Sequence, residues 1–195
     1  MSDERLMRAV RDGAVAKLGL LFERHHVRLF EFLCRMTGDR ATADDLVQET
    51  FVRMLKYRQT FRDEGRFETW MYHIARNARL DHFRKRRLEQ PLDDASPETA
   101  AKDPDAERRA MSREQAVLLK RALLKLPDEK RELIVLARYR GLKYDEIARI
   151  LEIDVGTVRV RLHRALKELR ALMGRDRDEE QRCDVRKSAT SLPIA

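Results

Sequence analysis

A chain of 195 residues has room for one domain of ordinary size or two small ones. Lys and Arg outnumber Asp and Glu by 42 to 34, and the net charge of +8 points toward a polyanionic partner. A hydrophobic share of 43% excludes a wholly disordered chain, and 6% aromatics with seven Gly argue against a loop-rich β protein.

Met1 to Gly13 mixes acids and bases without the apolar core of a secretory leader, and no run approaches the ~18 to 20 apolar residues of a membrane span. A soluble cytoplasmic protein without membrane insertion is expected. Cys34 and Cys183 are far apart, so neither a disulfide framework nor a thiolate zinc site is indicated.

The punctuation predicts helices over 13–37, 41–57 and 67–87, with turns at Thr37-Gly38-Asp39 and around Arg62 to Gly65. On the second of these, Val47, Phe51, Met54 and Leu55 share one arc, and Asp45, Gln48 and Glu49 share the opposite one. Carboxylates repel phosphate, so a basic protein surface suits this acidic face better than DNA does.

The helix over 67–87 turns Phe67, Trp70, Met71, Ile74 and Ala78 inward by its period, and His73, Arg76, Asn77, Leu80, Phe83, Arg84 and Arg87 outward. Arg76 to Arg87 carries a net charge of +5, and Asn77 and Phe83 among those cations suit base edges and unpaired bases. The loop from Phe61 to Phe67, with Arg62 and Arg66 between two aromatics, is of a kind that could hold an extruded base.

Pro91, Pro97 and Pro104 then interrupt any long helix, and the segment from Glu89 to Glu107 has a net charge of −6. Two readings of this linker stand: a solvated spacer, or an acidic strand lying in a basic channel of a partner. Helices are predicted again over 106–125, 128–139, 143–151 and 155–172, with a frayed tail from Gly174.

Gly141 to Met173 reads as a helix-turn-helix, with Asp154 capping its second helix and Gly156 at the turn. Val158, Leu162, Ala165, Leu166, Leu169 and Leu172 gather on one side of that helix. Arg159, Val160, His163, Arg164, Lys167 and Arg170 gather on the other, a net +4 from Gly156 to Arg170. A cationic, partly apolar outward face on the second of two short helices is what entry into a DNA major groove requires.

DDLVQETFVRML, then FETWMYHIARNARLDHFRKRR, then the acidic linker, then LPDEKRELIVLARYRGLKYDEIARILEIDVGTVRVRLHRALKEL, together resemble a bacterial RNA polymerase sigma factor of the extracytoplasmic-function (ECF) type of the sigma-70 family. The resemblance spans residues 13 to 173. It implies an all-α chain of two small helical domains: region 2 over 13–88, the acidic linker over 89–107, and region 4, the helix-turn-helix domain, over 108–173, with a flexible tail over 174–195. It implies binding to core RNA polymerase through the β′ clamp helices and β flap, recognition and melting of promoter DNA, and control by an anti-sigma factor.

By position, Asp45, Gln48 and Glu49 would bind core polymerase. Arg62, Phe67, Arg76, Asn77, Arg84, Lys85 and Arg87 would bind the −10 element, with Asn77 the best single candidate for a base contact. Arg159, Val160, Arg161, His163, Arg164 and Lys167 would bind the −35 element. The linker would thread toward the RNA exit path. Many family members carry Ser where Val160 stands and an aromatic at His163, so the −35 sequence does not transfer from the family.

No catalytic, cofactor or metal site is expected. A metal held by His25, His26, Asp44 or Asp45 would lack any HExxH-like spacing. The rival reading is a stand-alone helix-turn-helix regulator. Such a protein normally dimerises on two half-sites, and the sequence has no heptad seam to support that.

Overall fold

The computed structural model describes residues 1–62, 65–89 and 106–189, and no strand occurs among them. Eight α-helices run in the order α1 Asp3–Arg11, α2 Leu18–Thr37, α3 Arg40–Lys56, α4 Phe67–Glu89, α5 Ala106–Lys125, α6 Asp128–Ile134, α7 Tyr144–Leu151 and α8 Val155–Ala189. The first four form one bundle and the last four a second. Most of the acidic linker lies outside the described residues.

The segment expected as one helix over 13–37 is divided. Gly13, at φ 110, and a 3-10 turn at Val15–Lys17 separate α2 from α1. Helix α1 itself had not been expected, yet its signals are in the sequence. The Ser2 hydroxyl accepts from Arg5 N–H at 3.4 Å, Asp3 and Glu4 occupy the positive N-terminal turn, and Arg8 and Arg11 the last turn. Leu6, Met7 and Val10 are buried on one side.

Helix α1 is clasped to the bundle through side chains. Asp3 accepts from Arg24 at 2.7 Å and pairs with His25 at 2.7 Å, Arg11 donates to the Phe61 carbonyl at 3.2 Å, and Gln59 donates to the Arg11 carbonyl at 3.0 Å. Burial pushes the Asp3 carboxyl up, but the bonds from Arg24 and His25 outweigh it and leave the group below its ordinary 3.8. A carboxylate with a depressed folded-state pKa contributes stability that is present above the unfolded value and is lost as pH falls through the folded one. Amide protection of residues 3–11 is therefore expected to drop ahead of that of α2 as pH falls below the ordinary 3.8 and through the lower folded value. Asp3→Asn is expected to remove this difference in pH dependence, as read by hydrogen exchange.

The turn between α2 and α3 depends on Gly38, which at φ 79 takes a left-handed conformation and donates its N–H to the Cys34 carbonyl at 2.9 Å. Asp39 follows as N-cap, accepting from Thr42 N–H at 2.8 Å. The first core assembles Leu21, Leu29, Phe32, Leu33, Met36, Leu46, Met54, Met71 and Ala75, with Phe32 edge-on to Tyr72 at 5.1 Å between ring centres.

In the second bundle, Leu133 to Leu136 are buried. The helix expected over 128–139 changes character at Val135–Tyr139, a π-helical turn in which Arg140 N–H reaches the Val135 carbonyl at 3.1 Å. Gly141, at φ 67, ends it. Gly156 proves to lie in the first turn of α8 and not in the turn before it. The tail expected to fray at Gly174 is helical to Ala189. Gly174 is the only Gly in a run that also carries the good helix formers Glu, Gln, Arg and Lys, and no Pro follows before Pro193.

The two bundles pack on each other. Leu124 of α5 fits against Gly38, where an added Cβ would come within 3.0 Å of it. Arg131 of α6 donates to the carbonyls of Leu124 at 2.7 Å and Leu126 at 3.0 Å, and also to that of Met36 across the interface. Arg140 donates to the Arg28 carbonyl and pairs with Glu31, both at 2.8 Å, and the Arg35 guanidinium lies 4.4 Å from the Tyr139 ring centre. No helix among the described residues is long and apolar enough to cross a membrane.

Candidate nucleic-acid interfaces

The outer face of α8 is built by what its inner face buries. Val158 and Ala165 are 0% exposed and Leu162 3%, which aims Arg159, Val160, Arg161, His163, Arg164 and Lys167 at solvent, all six exposed. The helix start is fixed by Asp154, which accepts from Thr157 N–H at 2.7 Å and from the Thr157 hydroxyl; these bonds hold its carboxyl below the ordinary carboxylate range. Helix α7 braces α8 through Ile147 and Ile150, both fully buried. Its own start is closed by Glu146, which accepts from Lys143 N–H at 2.8 Å, and its end by Glu152 at φ 56. Arg161 lies 3.9 Å from exposed Glu129, a contact weak enough to yield to a phosphate.

On α3, Val47, Phe51 and Met54 are buried and Asp45, Gln48 and Glu49 are exposed, the division the period predicts. Glu49 accepts from Arg53 at 2.6 Å, and Arg53 reaches Asp81 of α4 at 2.7 Å. The acidic face is thereby tied to the helix beside it.

The face of α4 departs furthest from expectation. Phe67 is fully buried, its ring 4.9 Å from that of His25, and so does not reach DNA. Phe61 is also buried, 5.4 Å from the Trp70 ring, so neither aromatic of the 61–67 loop is available to stack on an extruded base. Both rings are spent on holding the start of α4 to the core. Arg62, Arg84 and Lys85 are exposed, Asn77 is half-buried, and Arg84 pairs with Asp81 at 2.8 Å. The Arg87 side chain lies outside the described residues.

Four polar side chains on α4 or just before it meet acids of the second bundle. Arg76 donates to Glu132 at 3.3 Å, Arg66 lies 2.5 Å from Glu146, and His73 lies 3.3 Å from Glu152. Arg79, with its side chain 2% exposed, bonds Asp128 and faces Glu132 at 3.7 Å. Sequence reasoning counted Arg79 only as charge, yet it lies four residues after Ala75 and eight after Met71, on the arc that packs. Burial pushes the Glu132 carboxyl above its ordinary value, against the pull of Arg79 and Arg76.

His25, paired with Asp3, and His26, stacked on Phe22 at 4.9 Å, are both accounted for by packing and hydrogen bonding. Among the described residues no group of three or more His, Cys, Asp or Glu side chains gathers where a metal could be held.

Residues 21–89 match the family model of sigma-70 region 2, and residues 116–169 match that of sigma-70 region 4. The chain is 36% identical over 175 residues to the RNA polymerase sigma factor CarQ of Myxococcus xanthus, covering 86% of this chain and 95% of that one. It is 35% identical over 162 residues to the ECF RNA polymerase sigma factor SigE of Mycolicibacterium smegmatis, covering 82% of this chain and 62% of that one. Among solved structures, CnrH in complex with the cytosolic domain of CnrY superposes with a TM-score of 0.67 at 28% identity, covering 89% of this chain and 98% of that one. RpoE in complex with the anti-sigma factor NepR, from Bartonella quintana, shares the fold with a TM-score of 0.64 at 23% identity. The two matched regions, in this order on two helical bundles, and these relatives establish that the chain belongs to the ECF group of the sigma-70 family and is a sigma factor that directs transcription initiation.

Proposed function

We propose that the chain works as a non-catalytic, cytoplasmic subunit of polymerase holoenzyme through three separate faces. Asp45, Gln48 and Glu49 dock on the β′ clamp helices of core polymerase. Arg76, Asn77, Arg84, Lys85 and Arg87 of α4, with Arg62 before it, take the −10 element. Arg159, Val160, Arg161, His163, Arg164 and Lys167 take the −35 element. The domain limits follow from this reading: region 2 over 13–88, a linker over 89–107 that threads toward the RNA exit path, and region 4 over 108–173, which also meets the β flap.

The observation that carries the reading is the separation of charge by face. In one basic chain the exposed side of α8 is cationic and the exposed side of α3 is acidic and amide-bearing. Cations on the one suit phosphate and guanine edges; carboxylates on the other suit a basic protein surface. Joining two modest DNA readers through one polymerase makes the second contact intramolecular, so that neither reader alone need bind tightly. An anti-sigma factor, the class of partner with which the fold relative RpoE of Bartonella quintana is complexed, is proposed for this chain too.

Run-off transcription with core polymerase on a genomic promoter library tests the reading. Addition of the chain should yield transcripts sharing two spaced elements, and failure to redirect core polymerase would contradict it. On a promoter recovered this way, Arg164→Ala is expected to lower use of an intact −35 element about tenfold while leaving core binding unchanged. Competitive transcription from templates with intact and scrambled −35 elements measures this. Loss of core binding as well would show that Arg164 serves the fold.

A further inference from the structure

The cationic face of α8 carries an apolar side chain at its middle. Val160 is 49% exposed and lies about 160° round the helix from both Val158 and Leu162, which are buried. It therefore stands on the crest of α8, the line farthest from the core beneath. Val155, also exposed, lies about 140° round the helix from Val160 and so off that crest. Arg159, Arg161, His163, Arg164 and Lys167 surround Val160, and all of them are exposed. The fold gives no reason for a valine here. Val158, Leu162 and Ala165 do the packing, and at an open helical position valine is a poorer helix former than Arg or Lys.

Gly156 stands one turn before Val160 on the same side of the helix. A Cβ at Gly156 would meet only the Asp154 carboxylate, at 3.1 Å, so no other part of the protein fills the space outside it. With no side chain there, the backbone of α8 can come close to a ligand at that end of the helix. Closeness is what Val160 needs. A valine is short where an arginine is long, and it touches a base edge only where the helix itself lies near the groove floor.

From the proposed role of this face as the −35 reader, we infer that Val160 is a specificity residue that selects thymine, its methyl groups packing on the 5-methyl of that base in the major groove. Thymine presents a methyl group there, and adenine, guanine and cytosine do not. The cations beside Val160 meet phosphates and the oxygen and nitrogen acceptors of base edges, so they are blind to that methyl. Valine is held to one preferred χ1 rotamer in a helix, and little freedom is lost when its methyl groups settle against the base. The −35 element of this chain must then include an A·T pair facing the crest of α8, read by apolar contact and not by hydrogen bonding.

The test uses the full chain with core polymerase on a promoter recovered by run-off transcription. Templates carry deoxyuridine in place of thymidine at one position of the −35 element at a time, on either strand. Uracil keeps the pairing edge of thymine and lacks only the 5-methyl. Each such template competes with the unmodified one in transcription, and a template with a scrambled −35 element serves as reference. The same set is run with Val160→Ser, and circular dichroism checks that its helices persist.

At one thymine position uracil should lower promoter use by the unaltered chain about fourfold, the worth of one buried methyl group. At that position Val160→Ser should bring the ratio between thymine and uracil templates close to one. A −35 element that needs no A·T pair, the lack of any uracil-sensitive position, or a sensitivity that survives Val160→Ser overturns the assignment of Val160, while weaker use of the scrambled template still upholds the −35 reading. Equal use of the intact and scrambled elements by the unaltered chain overturns the −35 reading, and the assignment of Val160 falls with it.

Discussion

Asp45→Arg combined with Gln48→Ala is expected to abolish co-purification of the chain with core polymerase while leaving its helical content and melting temperature unchanged. Both side chains are exposed on α3, whereas the residues that hold α3 in the bundle, Val47, Phe51 and Met54, point the other way. The substitution turns an attractive charge contact into a repulsive one, and like charges facing each other across an interface cost several kcal/mol. A loss of about 3 kcal/mol is more than a hundredfold in affinity, enough to empty the complex at ordinary concentrations. Glu49 is left in place because it also pairs with Arg53, and removing it would confuse binding with the α3–α4 contact. Pull-down of core polymerase by tagged chain reads the effect directly. Retained binding would show that the acidic face is only a solvated surface.

Phe32→Ala is expected to act in the opposite way, destabilising the first bundle by about 3 to 5 kcal/mol. Phe32 is 0% exposed and meets Tyr72 edge-on, so its removal forfeits both the transfer of a large side chain and an aromatic contact, and leaves a cavity that the neighbouring helices close only in part. Small domains have about 5 to 15 kcal/mol in total, so this one change takes a large share of it. The chain's one tryptophan, Trp70, lies in this bundle, packed on Phe61 and donating to the Thr60 hydroxyl at 3.1 Å. Its fluorescence in urea should therefore report a lower unfolding midpoint for the variant. A midpoint shift equivalent to less than about 1 kcal/mol would mean that the site collapses around the smaller side chain.

Legibility followed locality. The two faces of α3 and of α8 were readable because they obey a fixed angular period, which needs no knowledge of the partner. Gly38 and Asp39 were readable as a turn for the same reason: a left-handed residue followed by a cap is a local device. Helix α1 was missed although Ser2, the acids of its first turn and Leu6, Met7 and Val10 announce it, because nine residues carry a weak periodic signal.

The errors at the −10 face have a different source. Phe61 and Phe67 stand beside arginines in a loop, a setting that suits nucleic acid. Whether a ring turns to solvent or to the core depends on the space beneath it, and here His25 and Trp70 fill that space. The partners of Arg76 and Arg79 lie 56 and 49 residues away across the linker. Periodicity within one helix carries no information about such contacts, and so the covering of α4 became visible only in three dimensions.

Footprinting on a recovered promoter, with the chain alone and with the chain added to core polymerase, tests the account most directly. Its central claim is that two readers act together only when polymerase holds them. The expected result is protection of both elements with core polymerase and no specific protection of the −10 element by the chain alone. Strong, specific protection of both elements by the isolated chain would contradict it.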